Sequence, residues 1–362
     1  MLKVLEAIIF LVYKQKDIEK NQTVVWILTF LVSFGFIYYV LHFLSGFNNK
    51  MPLKGRVGNV FITGGSQGVG KALAMICTRR GAHVCIVARN KKILNETLSE
   101  METVKYSPNQ KLQAISADLT IATEVKRALD EYSQSVPDIV FCCAGAAQPG
   151  FFVDLSLEQI EEGVKVNYLT AAYVAHEALR KMIRKPLPPK TPPRRIVFCS
   201  SLLAFLGMAG YSQYSPSKSA LRSLADTLRQ ESILYGIQVH CAYLATVYTP
   251  GFEKEQLIKP ELTKELEGAD QGQTPEAVAS CIIKNLEKGN FFITTEILGD
   301  LLKNNMRGPT PRDNVIIDTL FGYIASFIFP FVRINHDRIV QKYSKRENLF
   351  HINYLKKLFI IV

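Results

Sequence analysis

The residues of this chain best suited to catalysis are a tyrosine and a lysine four positions apart. Tyr214 and Lys218 fall on one face of a predicted helix, close enough for the ammonium to act on the phenol. A phenol ordinarily titrates near pH ~10, and a neighbouring cation favours the phenolate. We therefore expect Lys218 to lower the pKa of Tyr214, which suits a general acid or base.

A serine pair ends an apolar run thirteen residues before the tyrosine. Ser201 can donate a hydrogen bond to a substrate carbonyl. The adjacent Ser200 carries the same hydroxyl, so the sequence leaves both residues as candidates. The tyrosine–lysine spacing is also common on exposed helices with no catalytic role, so the interpretation depends on a cofactor site elsewhere in the chain.

A glycine-rich turn upstream predicts that cofactor site. It follows the strand-like run 59–63 and precedes a segment with helical spacing. Glycine lets the backbone approach a pyrophosphate, while the N-terminus of the following helix offers N–H donors and a positive dipole end. Between a strand and a helix, such a turn indicates a dinucleotide site, and the candidate cofactor residues here are Gly64, Ser66, Gln67, Gly68 and Gly70.

The next predicted strand indicates which dinucleotide is bound. Sites selective for NAD usually place an acid near the end of this strand, whereas an arginine suits a 2′-phosphate. Residues 83–90 contain no Asp or Glu, and Arg89 stands at the end of the strand. The sequence therefore favours NADPH over NADH.

The order of these motifs over about 155 residues resembles the short-chain dehydrogenase/reductase family. The resemblance implies that Ser201, Tyr214 and Lys218 are catalytic, with Lys218 also holding the ribose. Three further assignments rest on the resemblance alone. Asn167 would support a proton-relay water, Asp118 and Leu119 would contact the adenine, and the backbone of Val247 would contact the carboxamide.

Two positions depart from the family pattern. Cys143 stands where an asparagine is usual in the turn 142–145, and the turn after the sixth strand reads Thr-Val-Tyr-Thr-Pro-Gly from Thr246. The second departure changes the turn that would bring the Val247 backbone to the carboxamide.

Composition predicts one catalytic domain with extensions. The 362 residues are 48% hydrophobic, and the seven cysteines lie mostly in apolar runs without C-x-x-C pairing. They indicate free thiols in a reducing compartment and no metal site. Strands are expected near 58–63, 83–88, 112–117, 138–143, 195–200 and 237–243, with a seventh near 291–295. Their alternation with helices predicts an α/β, Rossmann-like, doubly wound parallel sheet.

The ends of the chain predict membrane association. Residues 1–55 would be an anchor with a span at about 23–47, because that run has no formal charge and about 20 residues cross a bilayer. Residues 56–300 would form the NADPH-binding domain, and 301–362 a membrane-associated extension. The segment 314–332 contains Asp318 and Pro330, so it fits a span, a hairpin or an interfacial segment.

The net charge of +11 fits an anionic membrane surface better than nucleic acid, because lysines flank apolar segments and no nucleic-acid motif occurs. The apolar residues near the site motifs suit a long acyl chain; they are Phe151, Phe152, Phe205, Leu206, Met208 and Phe252.

Within the family, the resemblance is greatest to membrane-bound reductases of the endoplasmic reticulum. It implies reduction of a long-chain lipid ketone by a catalytic domain facing the cytosol, in a homodimer or tetramer. The alternatives are a membrane-bound hydroxysteroid or 3-ketoacyl-CoA reductase, or a non-catalytic NADPH-binding scaffold. A scaffold has no need of Ser201, Tyr214 and Lys218 together.

Overall fold

The computed structural model describes residues 58–188, 191–268 and 272–347, which belong to one compact unit. The predicted anchor 1–55, with its span at about 23–47, lies outside the described residues, as does the chain after residue 347.

The centre of the fold is one seven-stranded sheet whose strands are all parallel, in the order β3-β2-β1-β4-β5-β6-β7. All seven strands lie where the sequence predicts them, so the doubly wound α/β prediction is confirmed. The strands are β1 (Asn59–Thr63), β2 (His83–Ala88), β3 (Leu112–Ser116), β4 (Ile139–Cys142), β5 (Arg195–Ser201), β6 (Gln238–Leu244) and β7 (Phe292–Thr294).

Helices connect the strands and cover both faces of the sheet. They are α1 (Gly68–Arg79), α2 (Lys91–Thr103), α3 (Ala122–Asp130), α4 (Leu157–Val164), α5 (Thr170–Arg184), α6 (Ser215–Ser232), α7 (Pro250–Ile258), α8 (Glu261–Glu267), α9 (Pro275–Lys288), α10 (Ile297–Asn305) and α11 (Val315–Arg346). A π-helical turn, Lys165–Leu169, joins α4 to α5.

Two hydrophobic layers hold the helices to the sheet. Successive side chains of a strand point to opposite faces. In β1, Phe61 therefore packs into the layer with α5 and α6, while Val60 and Ile62 pack into the layer with α1 and α9. Because both faces are covered, the strands are largely apolar, which is why they could be located from the sequence.

The strand order reverses direction between β1 and β4. In open parallel sheets, ligands bind at such a point, beyond the carboxyl ends of the strands. The glycine-rich turn after β1, the turn after β4 and the serine pair ending β5 all lie at this edge.

Helix α11 is the largest element that the sequence left undecided. It is one continuous helix through Pro330, so the hairpin alternative is wrong. It is the one helix in the described residues long and apolar enough to cross a membrane, judged by length and composition. Its Asp318 accepts hydrogen bonds from Arg307 and from the Asp313 backbone N–H at 2.9 Å, and Arg333 donates to the Gly207 carbonyl at 2.9 Å. The helix therefore packs against the catalytic unit.

The predicted domain boundary after residue 300 falls inside α10, which continues to Asn305. Helix α11 packs on α10, with Ala325 and Phe329 buried.

Candidate active site

The turn between β1 and α1 is closely packed around its glycines. Gly64 has φ +65°, a backbone conformation that residues with a side chain rarely adopt. A Cβ on Gly70 would lie 2.3 Å from the Gly64 carbonyl oxygen, so this carbonyl and the start of α1 touch only because Gly70 has no side chain.

The N-terminus of α1 fits an anionic group. Gln67 is its N-cap residue in extended conformation and makes no side-chain capping hydrogen bond. By contrast, Asn90 accepts from two backbone N–H groups at the start of α2. The first N–H groups of α1 are thus left without a capping side chain and point to the sheet edge, as a pyrophosphate site requires.

Replacing Gly70 by alanine should disrupt this turn. We expect a stability loss of roughly 1–3 kcal/mol from overpacking, together with weaker dinucleotide binding, because the carbonyl of Gly64 must move. Thermal unfolding and a cofactor titration would measure both. Gly207→Ala is the matched control, because a Cβ there would have no atom within 4 Å. Equal melting temperatures and affinities for the two variants would contradict this account.

The end of β2 carries an exposed cationic side chain. Arg89 is exposed and makes no ion pair with any described residue. Its backbone carbonyl accepts from Ser116 at 3.0 Å, which joins the ends of β2 and β3. The guanidinium is therefore available beside the glycine-rich turn.

Asp118 and Leu119 follow β3 at the same edge. The Asp118 carboxylate accepts from the backbone N–H and the hydroxyl of Thr120, at 3.0 and 2.7 Å. Leu119 is buried in the core beneath the sheet. Any contact of Leu119 with an adenine would therefore come from its backbone, whereas Asp118 keeps a second carboxylate oxygen for a ligand.

Three of the predicted catalytic side chains lie together at the end of β5 and the start of α6. Ser201 is the last residue of β5, Tyr214 is the N-cap of α6 and Lys218 lies in its first turn. The Ser201 hydroxyl lies close enough to Tyr214 to lower the pKa of that phenol. The Lys218 ammonium lies 5.4 Å from the centre of the Tyr214 ring and donates to the Cys199 carbonyl at 3.2 Å.

The two adjacent serines have different partners. The Ser200 hydroxyl is buried and donates to the backbone carbonyl of Lys218 at 2.9 Å, so it fastens β5 to α6. The Ser201 hydroxyl accepts from the Leu203 N–H at 3.2 Å and lies against the tyrosine. The geometry favours Ser201 as the residue that faces a substrate.

Burial is the largest cause of the pKa shifts of Tyr214 and Lys218. It raises the pKa of Tyr214 above its ordinary value, the nearby charge of Glu255 raises this pKa further, and the Ser201 hydroxyl lowers it. Burial also lowers the pKa of Lys218. The expectation that Lys218 brings the pKa of Tyr214 down is wrong for the net shift, because desolvation of the phenolate is the larger effect. The raised pKa keeps the phenol of Tyr214 protonated.

Asn167 is buried in the π-helical turn and holds the chain that follows β4. Its amide donates to the Ala146 and Gly163 carbonyls at 2.8 and 3.1 Å, and its carbonyl accepts from the Ala146 N–H at 3.0 Å. A Cβ on Gly145 would lie 3.0 Å from the Asn167 side-chain oxygen and 3.1 Å from the Lys218 ammonium. Asn167 and Lys218 therefore flank one glycine.

Thr63 positions the turn that carries the unusual cysteine. Its hydroxyl accepts from the backbone N–H groups of Cys143 and Ala144 at 3.0 and 3.2 Å. The Cys143 sulfur lies 3.2 Å from that of Cys199, and both thiols are free. Thr63 was not predicted as a site residue, although it precedes the first glycine of the motif.

Val247 lies in the loop after β6. The flanking residues pair with Gln273, whose N–H bonds the Thr246 carbonyl at 2.9 Å and whose carbonyl accepts from Tyr248 at 3.0 Å. The Val247 N–H has no hydrogen-bond partner in the described part of the chain, which leaves it for a ligand carboxamide.

The predicted apolar lining is only partly at the site. Phe205 is buried in the core against Tyr243 and Phe292, and Leu206 packs beside it. Met208 instead lines a cavity of about 400 Å³ between the loop after β5, α8 and α11. The cavity has both apolar and polar walls: Gly207, Met208, Ala209, Tyr211, Ser212, Ser215, Pro216, Leu266, Arg333, His336, Asp337 and Val340.

A charged network beside Tyr214 was missed in the sequence. The Tyr211 hydroxyl donates to Glu255 and Glu267 at 2.5 and 2.6 Å. Lys259 donates to Glu267 at 2.7 Å and lies 3.1 Å from Glu255. The only sequence signal was the four-residue spacing between Glu255 on α7 and Lys259, which directly follows that helix.

The amino-acid sequence matches a family model described as short chain dehydrogenase over residues 58–257. It is 39% identical to a 3-ketodihydrosphingosine reductase of Aspergillus fumigatus, over 83% of this chain and 88% of that protein. It is 36% identical to one from Cryptococcus neoformans, over 79% and 85% respectively. It is 33% identical to a 3-dehydrosphinganine reductase of Danio rerio, over 72% and 77%.

Solved structures share the fold. A short-chain type dehydrogenase/reductase from Mycobacterium marinum superimposes with a TM-score of 0.58 at 23% identity, over 67% of this chain and 92% of that one. A short-chain dehydrogenase from Sphingobium yanoikuyae in complex with NADPH gives 0.57 at 22% identity, over 66% and 88%. A Burkholderia phymatum relative in complex with NAD gives 0.58 at 18%, over 68% and 90%.

Proposed function

The chain belongs to the short-chain dehydrogenase family, and we propose that it reduces 3-ketodihydrosphingosine to dihydrosphingosine with NADPH in sphingolipid biosynthesis. The observation that carries the proposal is the meeting of Ser201, Tyr214 and Lys218 at the carboxyl edge of the sheet, next to the glycine-rich turn. The fold binds nicotinamide cofactors, and the relatives named above act on this lipid ketone.

Each residue of the site would have its own role in the reduction of a ketone. Bound NADPH would supply a hydride to the carbonyl carbon. Ser201 would donate a hydrogen bond to the carbonyl oxygen, and Tyr214 would transfer its proton to that oxygen as the alcohol forms. Lys218 would hold the ribose and replenish the proton together with a water near Asn167.

Several residues would hold the dinucleotide. The backbone of the turn from Gly64 to Gly70, with Ser66, Gln67 and Gly68, would take the pyrophosphate. Asp118 and Leu119 would contact the adenine, and the free Val247 N–H would bind the carboxamide.

We propose NADPH over NADH because Arg89 is exposed at the end of β2, where an acid would serve NAD. Arg89→Asp should lower the kcat/KM ratio for NADPH over NADH by about 10- to 100-fold, since a charge-assisted hydrogen bond contributes roughly 1.5–3 kcal/mol. Arg79→Asp, an exposed arginine in the last turn of α1, is the control. An unchanged ratio in Arg89→Asp would assign the 2′-phosphate to another group.

The cavity beside α6 supports a lipid substrate. Its wall includes Tyr211 and Ser215, which bracket Tyr214 in sequence, and Val340 of α11. An apolar helix thus borders a space that reaches the catalytic helix, which is the path that a long-chain substrate entering from a bilayer would need.

We propose that α11 lies in the membrane interface. Its exposed face carries Tyr323, Phe327, Phe331 and Ile334 at helical spacing, with Phe327 75% and Phe331 73% exposed. The opposite face is buried on the domain through Asp318, Ala325 and Phe329. A helix packed along the domain on one side and apolar on the other suits the boundary of headgroups and acyl chains.

Fluorescence quenching tests this placement. In a Trp26→Phe background, which removes the one natural tryptophan, Phe327→Trp should be strongly quenched by lipids with brominated chains. Tyr106→Trp is the control, because Tyr106 is equally exposed at 77% but lies far along the chain from α11, just before β3. Equal quenching of the two tryptophans would place α11 outside the bilayer.

We further propose the endoplasmic reticulum membrane as the location, with the catalytic domain facing the cytosol. The seven free thiols fit a reducing compartment. A homodimer or tetramer, implied by the family resemblance, can be tested by sedimentation of the detergent-solubilised protein.

The decisive assay is NADPH oxidation by detergent-solubilised protein given 3-ketodihydrosphingosine, with NADH in place of NADPH as control. Turnover with NADPH is the expected result. If the protein binds NADPH yet leaves this ketone unreduced, the assignment fails, and hydroxysteroid and 3-ketoacyl-CoA ketones become the substrates to test. Binding of NADPH with no ketone reduced would indicate a scaffold.

A further inference from the structure

The substrate of the proposed reaction carries a positive charge next to its ketone, which other lipid ketones lack. 3-Ketodihydrosphingosine carries a primary ammonium on the carbon next to its ketone, whereas a steroid ketone has no cation there and an acyl-CoA carries several anions. With the ketone oxygen at Tyr214, the ammonium must lie within a few ångströms of that hydroxyl. The surroundings of Tyr214 therefore have to accommodate or reject a positive charge.

We propose, resting on the function above, that Glu255 is the residue that binds this ammonium and selects an amino-ketone substrate. Glu255 lies on α7, which begins just beyond the carboxyl end of β6 at the edge of the sheet that holds the site. It is one hydrogen bond from Tyr211, whose ring centre lies 6.0 Å from that of Tyr214.

The charges of this network do not balance. Glu255 and Glu267 are two carboxylates, and the Lys259 ammonium is the single cation bonded to them among the described residues. Burial raises the pKa of Tyr211 far above its ordinary value, so its hydroxyl stays neutral. Two acidic side chains therefore share one cation, in a place where burying an unpaired charge is unfavourable.

Hydrogen-bond donors are also in short supply. The single hydroxyl hydrogen of Tyr211 faces an oxygen of each glutamate, and the Lys259 side chain is fully buried between them. Both Glu267 oxygens and one Glu255 oxygen have partners, while Glu255 Oε2 has none among the described residues. The Glu255 side chain is 15% exposed, so this oxygen is open to a ligand. An ammonium would supply both the missing charge and the missing donors.

Such binding would also act on the proton donor. After burial, the charge of Glu255 is the next cause of the raised pKa of Tyr214. A substrate ammonium against Glu255 would offset that charge and make Tyr214 a stronger acid when the amino ketone is in place.

The test compares two ketones in wild type and in Glu255→Gln. One is 3-ketodihydrosphingosine, and the other is the same chain without the amine, 1-hydroxyoctadecan-3-one. Glutamine keeps the size and a hydrogen-bond acceptor for Tyr211 but removes the charge. We expect kcat/KM for the amino ketone to fall roughly 10- to 100-fold, since hydrogen bonds to charged groups contribute about 1.5–3 kcal/mol. The value for the amine-free ketone should stay within a few-fold of wild type.

Two further variants distinguish binding of the ammonium by Glu255 from a purely structural role of this side chain. Glu255→Asp keeps the charge and should retain much of the preference for the amino ketone. Glu253→Gln removes an exposed carboxylate from the same helix and should change neither ketone. Melting temperature and NADPH affinity establish that each variant is folded.

The outcomes are distinct from those of the functional assay. If wild type reduces the amino ketone but Glu255→Gln slows both ketones equally, Glu255 is structural and this inference is overturned while the proposed function stands. The same holds if wild type does not distinguish the two ketones. If wild type reduces neither, the proposed function fails, and this inference falls with it.

Discussion

Tyr214→Phe should abolish nearly all turnover while leaving the protein folded and able to bind NADPH. The change removes one oxygen, which is the proposed proton donor, and keeps the ring that packs beside Tyr211. General acid catalysis contributes typically 10²- to 10⁴-fold, so we expect roughly this loss in kcat. The measurement is NADPH oxidation with saturating 3-ketodihydrosphingosine.

The control for this variant is Tyr106→Phe, which removes the same hydroxyl from a tyrosine that is 77% exposed. It should have wild-type turnover. If Tyr214→Phe kept more than about a tenth of wild-type kcat, a factor smaller than general acids supply, another group would have to donate the proton.

Lys218→Met should cause a loss of similar size, about 10²- to 10⁴-fold in kcat/KM, and should also weaken NADPH binding. Lys218 is buried and bonds the Cys199 carbonyl, so its ammonium is fixed close to Tyr214 and to the turn at Gly145. Methionine matches its length without the charge. Because burial lowers the pKa of Lys218, the ammonium is held at a cost in stability, and we expect the melting temperature not to fall.

Steady-state kinetics, an NADPH titration and thermal unfolding check the three parts of this expectation. Lys284→Met, at an exposed position of α9, is the matched control. A variant at Lys218 that melts much lower than wild type would show a structural role for the ammonium, and unchanged kinetics would remove it from the mechanism.

The sheet strands and α11 differ in how far a local sequence pattern fixes their position. The strands could be located because a strand buried on both faces is an uninterrupted apolar run. The run 314–332 that begins α11 is also apolar, yet the sequence could not distinguish a span from a hairpin or an interfacial helix. Its position depends on contacts with distant residues, such as Arg307 with Asp318 and Arg333 with Gly207.

Local sequence patterns were sufficient to predict those parts of the site that are formed by neighbouring residues. A glycine turn between a strand and a helix, and a tyrosine and a lysine four apart on a helix, have their geometry set by backbone rules over a few residues. The other features of the site depend on contacts between distant parts of the chain. The tertiary structure gave the two serines different partners, reversed the expected shift in the pKa of Tyr214, and brought Glu255 and Glu267 to Tyr211 from positions 44 and 56 residues away. Burial and charge act through space, so they depend on residues that no local pattern connects.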